Sequence, residues 1–247
     1  PPEPPEDCLM GEEPPLGSLV HRYSFDAGGN VVDSIKGSNG TLEGGAMFGA
    51  DGTLVLNPPD PNNPNAPDTK QFVNLPNGIV HDLTDVTVVA WTTWSGSGAA
   101  WQRIFDFGVS LGGEGQANGG RSYICVMPFT GFDNQNKPGL GAEMKVPGFP
   151  TVTLASTEDM DDRLAQVAFS FKGGVSAALY LDGTRLAMQA TNIKPSDVDD
   201  SNNWLGKSQY GDNPYYKGTY EELRVYDVAL NGCQLHTLLV RGPQNPD

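Results

Sequence analysis

Short runs in which apolar and polar residues alternate recur along this chain, and clusters of Gly, Pro, Asn and Asp separate them. The clearest series is 164–190, where Lys172-Gly173-Gly174 and Asp182-Gly183 divide three alternating runs. An alternating run predicts a β-strand with one buried face. Asp-Gly between two such runs predicts a tight hairpin, because both turn positions need positive φ. The series therefore predicts three consecutive antiparallel strands.

Further strands are predicted where alternating or apolar runs lie between turn formers: 19–26, 71–75, 85–94, 101–109, 122–127, 141–146, 151–155 and 218–230. Both faces of 85–94 are apolar or small, so this strand is expected to be covered on both sides. The run 101–109 alternates cleanly, with Arg103 on one face and Asp106 on the other. About a dozen strands and almost no helix predict an all-β, two-sheet antiparallel sandwich.

The C-terminal end combines the last strand with a short helix. Alternation places Leu223 on one face of the strand and Tyr220 on the other. Asn231 is expected to cap a short helix that continues through Val240 and buries Leu235.

The first seventeen residues differ from the rest in composition. They hold six prolines and five acidic side chains, a composition that favours an extended chain. We therefore divide the chain into a leader or linker at 1–17 and a sandwich domain at 18–247.

The charge balance narrows the possible partners. With 30 acidic and 15 basic side chains, the formal net charge is −15, which disfavours nucleic acid and anionic lipid as ligands. No apolar run is long enough to predict a membrane span. The acidic surface fits a soluble extracellular protein, or a set of carboxylates that converge on Ca²⁺.

Three cysteines bear on the cellular compartment. Cys125 lies in an apolar run and is expected to be a buried, inert thiol. Cys8 and Cys233 lie near the two ends of the chain, and they could form a disulfide if the terminal strands pair. No zinc-binding spacing of cysteines is present.

Four segments, read in order, resemble one family. They are LVHRYSFD with VVDSIKGSNGTL, VTVVAWTTW with WQRIFDFG, AALYLDGTRLA, and NNWLGKSQY with NPYYKGTYEELRVYDVAL. Their order and spacing resemble the laminin-G-like jelly-roll domains of the concanavalin A-like lectin/glucanase superfamily, over about residues 18–240. The resemblance implies a jelly-roll sandwich, but this fold hosts lectins, adhesion modules and glycosidases alike.

The resemblance also implies a structural Ca²⁺ where the first and last strands meet. The positions that match the family's ligands are Asp26, the Ser38–Asn39 segment and Glu221. Glu221 departs from the Asp that is more usual there, and these carboxylates could equally be ordinary turn residues.

Candidate sugar-binding residues are aromatic or polar residues in or beside loops: Trp101, Arg103, Asp106, Lys207, Tyr210, Tyr215 and Tyr216. Aromatic faces stack on the C–H surfaces of sugars, and the polar groups can bind hydroxyls. Two alternatives stay open, because Arg103 and Asp106 could form a buried pair and the tyrosines could serve packing.

Catalysis finds no support in the sequence. A retaining glycosidase needs two carboxylates about 5 Å apart, and the acidic run around Glu158 lacks a second Glu at the required spacing. Glu221 and Glu222 are adjacent, so their side chains are expected on opposite faces.

The leading hypothesis is therefore a non-catalytic extracellular or cell-surface recognition module that binds a glycan or an extracellular protein partner. Two other classes are retained. One is a structural subunit of an extracellular layer, filament or matrix that assembles with its own copies through the leader. The other is a glycoside hydrolase-like enzyme.

Overall fold

The computed structural model describes residues 8, 12–26, 29–57, 69–95, 100–132, 139–160 and 162–245. The described residues form two antiparallel sheets, of eight and seven strands, followed by one short helix. This confirms the predicted all-β sandwich with a C-terminal helix.

The first sheet contains eight strands: β1 (Leu19–Tyr23), β3 (Met47–Phe48), β4 (Leu54–Leu56), β6 (Asp85–Trp94), β11 (Leu164–Lys172), β12 (Ser176–Leu181), β13 (Thr184–Ala190) and β15 (Gly218–Tyr226). Their spatial order is β13-β12-β11-β6-β15-β4-β3, and β1 also pairs with β15. The β12–β13 hairpin turns at Asp182 and Gly183, which have φ of 49° and 77°. The predicted Asp-Gly turn is therefore confirmed.

The second sheet contains seven strands: β2 (Thr41–Glu43), β5 (Phe72–Leu75), β7 (Phe105–Ser110), β8 (Gly120–Met127), β9 (Gly141–Lys145), β10 (Val152–Ala155) and β14 (Asn202–Leu205). Their spatial order is β10-β9-β8-β7-β14-β5-β2. Strands β7 to β10 are consecutive in sequence, whereas β14 pairs with the distant strands β5 and β7. Long-range pairing of this kind is typical of a jelly roll.

Alternating side chains from the two sheets meet in one large apolar core. Phe105 and Phe107 of β7 point into it and lie 4.9 Å apart between ring centroids. Val88 and Ala90 of β6 also join the core, whereas Val89 belongs to a second cluster on the outer face. Strand β6 is therefore buried on both faces, as its sequence predicts.

The second cluster lies between the first sheet and helix α1 (Gly232–Arg241). Asn231 caps α1, because its side-chain oxygen accepts the Gln234 N–H at 3.0 Å and the Gln234 side chain accepts the Asn231 N–H at 3.0 Å. Such a cap stabilises a helix by about 1 kcal/mol. Leu235 and Leu238 of α1 are fully buried in this cluster. The helix thus covers the outer face of the first sheet.

Two of the predicted face assignments are wrong. Tyr220 belongs to the core together with Leu223, because a bulge at Glu221 shifts the register between Tyr220 and Glu222 by one residue. Residues 101–104 are not part of β7, and Trp101 has φ of 77°. This turn places Arg103 on the same side as Asp106.

The described part of the leader contacts helix α1 of the same chain. Glu13 forms an ion pair with Arg241, with 2.6 Å between Oε1 and Nη2. Glu12 accepts a hydrogen bond from Asn231 at 2.8 Å. Cys8 forms a disulfide with Cys233 at the start of α1, across 225 residues of sequence. The two ends of the chain are therefore joined on the outer face of the first sheet.

Within the described ranges, no helix is both long and apolar enough to span a bilayer.

Candidate functional site

The outer face of the second sheet carries a row of polar and reactive side chains. Cys125 of β8 pairs with Glu143 of β9 and with Asp106 of β7, and Asp106 in turn pairs with Trp204 of β14. Directly opposed residues point to the same face of a sheet. Because Phe105 and Phe107 point into the core, this row faces outward.

Next to this row is a cavity of about 270 Å³, which we call the aromatic pocket. It is lined by four aromatic and three polar side chains: Trp101, Tyr123, Phe132, Tyr210, Arg103, Glu143 and Asn213. The residues come from the turn before β7, from β8 and β9, and from the loops after β8 and β14. A pocket of this size is suited to a small, compact group.

The aromatic residues form two edge-on pairs. Trp101 and Phe132 have ring centroids 5.2 Å apart at 75°. Tyr123 and Tyr210 have centroids 6.0 Å apart at 83°, with 3.3 Å between their hydroxyl oxygens. Edge-to-face pairs of this kind hold each ring at a fixed angle. The pocket thus has a preformed aromatic lining.

The turn that presents Trp101 is held in an unusual conformation. A positive φ is rare for a bulky side chain and persists only where its surroundings enforce it. The Trp101 N–H donates to Phe129 O at 2.8 Å, and the Trp101 carbonyl accepts from Arg103 Nη1 at 2.9 Å. A Cβ on Gly131 would lie 3.3 Å from the indole, so a glycine there lets the loop approach closely.

Arg103 and Asp106 form a buried ion pair beside the pocket. Arg103 Nε lies 3.3 Å from Asp106 Oδ2, and the same oxygen accepts the Gln209 N–H at 3.0 Å. Burial raises the pKa of Asp106 to about 6, although the charge of Arg103 opposes this. Arg103 lines the pocket and Asp106 does not. The pair therefore fixes a guanidinium at the pocket, with its counter-charge out of reach of a ligand.

Glu143 and Asn213 supply further polar groups. The Tyr123 hydroxyl donates to Glu143 Oε1, and burial raises the pKa of Tyr123. Asn213 donates through Nδ2 to Ser208 Oγ at 2.9 Å. This bond does not use its side-chain oxygen, which can accept a hydrogen bond from a ligand. Within reach of the pocket there are therefore acceptors and hydroxyl groups of the kind that bind sugar hydroxyls.

The structure brings three of the seven candidate sugar-binding residues together in the pocket, namely Trp101, Arg103 and Tyr210. Lys207 lies elsewhere, with its Nζ 3.8 Å from the Trp204 ring centroid and 4.3 Å from that of Phe72. Tyr215 is next to Phe72, at 6.2 Å between centroids.

For Tyr216, the structure contradicts ligand contact and supports the packing alternative. Tyr216 is fully buried in the core, and its hydroxyl lies 2.8 Å from Thr92 Oγ1. The loop 206–217 turns this ring inward while Tyr215 stays half-exposed. Tyr216 therefore serves packing and cannot contact a ligand at the surface.

Sequence reasoning missed Tyr123, Phe132, Glu143 and Asn213. One signal was available for Glu143, because Ala142 and Met144 flank it with inward-facing apolar side chains. Tyr123 gave no comparable signal, since both faces of β8 are apolar in sequence and buried in the structure.

The residues predicted to bind calcium have other interactions in the structure. Asn39 Oδ1 accepts the Asp33 N–H at 2.9 Å, and Asp26 accepts from the Ser24 hydroxyl. Burial, and secondarily the charge of Asp51, raise the pKa of Glu221. No three His, Cys, Asp or Glu side chains come together as a metal-binding group in the described part of the chain. The calcium site stays a prediction.

Cys125 is the third cysteine and is fully buried as a free thiol below the pocket. Burial raises its pKa, so the thiol is protonated and unreactive.

Comparison with known proteins identifies the family of the fold. A family model described as the concanavalin A-like lectin/glucanases superfamily matches residues 67–236. No curated protein sequence matches the chain significantly.

Several solved structures share the fold at low sequence identity. Domain 4 of AbnA, a GH43 extracellular arabinanase from Geobacillus stearothermophilus in complex with arabinotriose, is 21% identical with a TM-score of 0.65, covering 89% of this chain and 97% of that one. The Ruminococcus gnavus IT-sialidase CBM40 bound to α2,3 sialyllactose is 22% identical with a TM-score of 0.51, covering 64% and 83%. The binding domain of Botulinum neurotoxin DC in complex with rat synaptotagmin II is 11% identical with a TM-score of 0.66, covering 90% and 51%.

Proposed function

The chain belongs to the concanavalin A-like lectin/glucanase superfamily, and from this premise we propose that it is a non-catalytic carbohydrate-binding module whose ligand occupies the aromatic pocket. The observation that carries the proposal is the composition of that pocket. Four aromatic rings adjoin a carboxylate, a guanidinium and a primary amide around a cavity of about 270 Å³. Ligand sites are typically concave and largely apolar, with a few polar groups that fix orientation.

The physical basis is the amphipathic nature of sugars. A sugar ring presents C–H groups on its faces and hydroxyls around its rim. The rings of Trp101 and Tyr210 can cover a face, while Glu143 and Asn213 bind rim hydroxyls. The edge-on packing of each ring pair lowers the entropy lost on binding, since the rings are already fixed.

The structural neighbours support a glycan as the ligand class. The AbnA domain was solved with arabinotriose and the CBM40 domain with sialyllactose. The neurotoxin domain was solved with a protein, synaptotagmin II. A protein partner is therefore the outcome to consider if no glycan binds.

The placement of carboxylates supports binding without hydrolysis. Glycoside hydrolysis generally requires two carboxylates that flank the scissile bond. Glu143 lines the pocket, but Asp106 is fully buried and makes its hydrogen bonds to Arg103 and Gln209. Among the described residues, Glu143 is thus the only carboxylate positioned to reach a sugar in the pocket.

We place the module outside the cell. The Cys8–Cys233 disulfide supports this, because disulfides persist mainly in oxidising compartments. The acidic surface, with a net charge of −15, is compatible with it.

The test is titration calorimetry with oligosaccharides that first score as hits on a glycan array. Tyr210→Ala removes one ring and Asn213→Ala removes one amide, and each should weaken binding at least tenfold. Met188→Ala is the control, since Met188 is exposed on β13 of the other sheet. Equal affinity of all three variants and the original chain would place the ligand elsewhere, and the absence of any array hit would refute glycan binding.

A structural Ca²⁺ near the bulge at Glu221 is a separate proposal. Glu221 lies within electrostatic range of Asp51, and a cation would relieve the repulsion between them. Calcium should raise the melting temperature of the chain, a chelator should reverse this, and Glu221→Gln should abolish the response. An unchanged melting temperature in millimolar calcium would exclude the site.

A further inference from the structure

The charges around the aromatic pocket bear on which sugars it accepts, an inference that rests on the proposed function. Among the residues that the structure describes, Arg103 is the only cationic side chain that lines the pocket. Its Nε lies 3.3 Å from Asp106 Oδ2, and its Nη1 donates to the Trp101 carbonyl. The positive charge is thus already paired with a carboxylate, in a buried site where an ion pair is only weakly screened.

The negative charge of Glu143 is not balanced in the same way. Its hydrogen-bond partner is the neutral Tyr123 hydroxyl, and no ion pair involves Glu143 among the described residues. Lys145 lies two residues further along β9, but its Nζ donates to the Gly120 carbonyl at 3.0 Å and does not line the pocket.

Lys145 keeps its positive charge, since a carbonyl does not neutralise it, but Glu143 and not Lys145 lines the pocket. Arg121 of β8 is paired with Asp199. Over longer distances, the net charge of −15 makes the approach of an anion unfavourable. The carboxylate that lines the pocket and the net charge of the chain therefore both disfavour an anionic ligand.

We infer that the aromatic pocket selects an uncharged sugar and rejects sugars that carry a carboxylate, such as sialic and uronic acids. A ligand carboxylate in the pocket would lie near Glu143, and like charges in direct contact disfavour binding. Arg103 would offset this repulsion only weakly, because its positive charge is already paired with Asp106. An uncharged sugar meets no such repulsion, and its hydroxyls can donate to Glu143 and to the Asn213 carbonyl. The small cavity further indicates that one ring, at a chain end or on a branch, enters the pocket.

The experiment compares matched glycans that differ only in the carboxylate. 3′-Sialyllactose and the methyl ester of its carboxyl group form one pair, and neutral oligosaccharides with their uronic acid counterparts form others, all measured by calorimetry at 50 mM and 500 mM salt. The neutral member should bind at least tenfold more tightly at low salt, and high salt should narrow the difference. An equal or higher affinity for the acidic members would overturn the inference while leaving the module a glycan binder. If neither member of any pair binds, the proposed function itself fails and the inference with it.

Two charge-neutralising variants test whether Glu143 causes the discrimination between neutral and acidic glycans. Glu143→Gln should reduce the discrimination between neutral and acidic members about tenfold, because the amide still accepts from Tyr123 but carries no charge. Glu158→Gln makes the same change in net charge at an exposed site outside the pocket, and should leave the discrimination as it is. Equal effects of the two variants would assign the selectivity to overall charge and refute a role for the pocket.

Discussion

At the scale of single residues, the Arg103–Asp106 pair holds the site in place at the expense of burying a carboxylate. Removing a carboxylate from water is unfavourable, and burial raises the pKa of Asp106 to about 6 despite the neighbouring guanidinium. The ionised form of Asp106 is therefore less stable in the folded chain than in the unfolded chain. In return, the pair holds Arg103 against the Trp101 carbonyl and receives the Gln209 N–H. The turn before β7 and the loop after β14, which both contribute to the aromatic pocket, are thus tied to β7.

This arrangement gives a pH dependence with a definite sign. Because the pKa of Asp106 is raised from 3.8 to about 6 on folding, the folded state binds more protons between these values. The contribution of Asp106 to the free energy of unfolding should then fall by about 3 kcal/mol as pH rises from 4 to above 6. Asp106→Asn lacks this term, so urea unfolding should show the variant gaining stability relative to the original chain over this range.

Other groups are common to both proteins and cancel in that comparison. Asp33 is one, since its pKa is lowered: burial opposes this, but hydrogen bonds from His21 and from several backbone N–H groups outweigh burial. Its contribution is lost only below its ordinary pKa. A stability difference between the two proteins that stays constant from pH 4 to 7 would contradict the assignment to Asp106.

At the scale of elements, β15 is the strand on which both faces of the first sheet depend. Its inner face adds Tyr220 and Leu223 to the core, and its outer face carries Glu222 and Arg224. Arg224 is fully buried, with its guanidinium 4.5 Å from the Trp91 ring centroid. It pairs with Glu222, and its Nη2 donates to the Pro243 carbonyl at 2.6 Å. The strand thereby anchors the chain just after α1.

Arg224→Met keeps the length of the side chain but removes its charge and its donors. We expect a loss of about 3 kcal/mol in the free energy of unfolding, because Glu222 loses one of two cationic partners in a buried site. Amide hydrogen exchange should accelerate more in α1 than in β11. Arg121→Met is the control, since its pair with Asp199 is about half exposed and should contribute less than about 1 kcal/mol. A uniform acceleration, or equal losses in both variants, would argue against this anchoring role.

The elements that sequence could predict are those with local signals. Strands β11 to β13 follow from alternation and from Asp182-Gly183, and α1 follows from the cap at Asn231. Strands β2, β3 and β4 have three residues or fewer, too short for any periodicity to stand out. Strand β14 is hidden by Asn202 and Asn203, whose buried side-chain Nδ2 groups donate to carbonyls from other loops.

The site was also predictable only in part, because some of its residues carry no local sequence signal. Loop aromatics such as Trp101 and Tyr210 are visible in sequence as candidates. That Tyr123 and Glu143 lie beside them depends on the registers of β7, β8 and β9, and register is set by tertiary pairing across the sheet. The inward turn of Tyr216 likewise depends on its contact with Thr92 of the other sheet.

At the scale of the whole molecule, the two outer faces of the sandwich have different roles. Helix α1 and the described leader residues cover the outer face of the first sheet, through an apolar cluster and the Cys8–Cys233 disulfide. The outer face of the second sheet carries the aromatic pocket. The elements that join the ends of the chain are therefore separated from the aromatic pocket by the thickness of the core.

This separation predicts that stability and binding respond differently to loss of the disulfide. A crosslink across 225 residues restricts the unfolded chain strongly, and the chain-entropy relation gives an upper value of about 5 kcal/mol for its contribution. Replacing both Cys8 and Cys233 by Ser should lower the free energy of unfolding by several kcal/mol, within that limit. A reducing agent should do the same to the original chain and have no further effect on the double variant. Glycan affinity at 25 °C should stay within twofold, because the aromatic pocket lies on the opposite face. Loss of affinity in the folded double variant would mean that the two outer faces are coupled, and unchanged stability would mean that the crosslink does not restrict the unfolded chain.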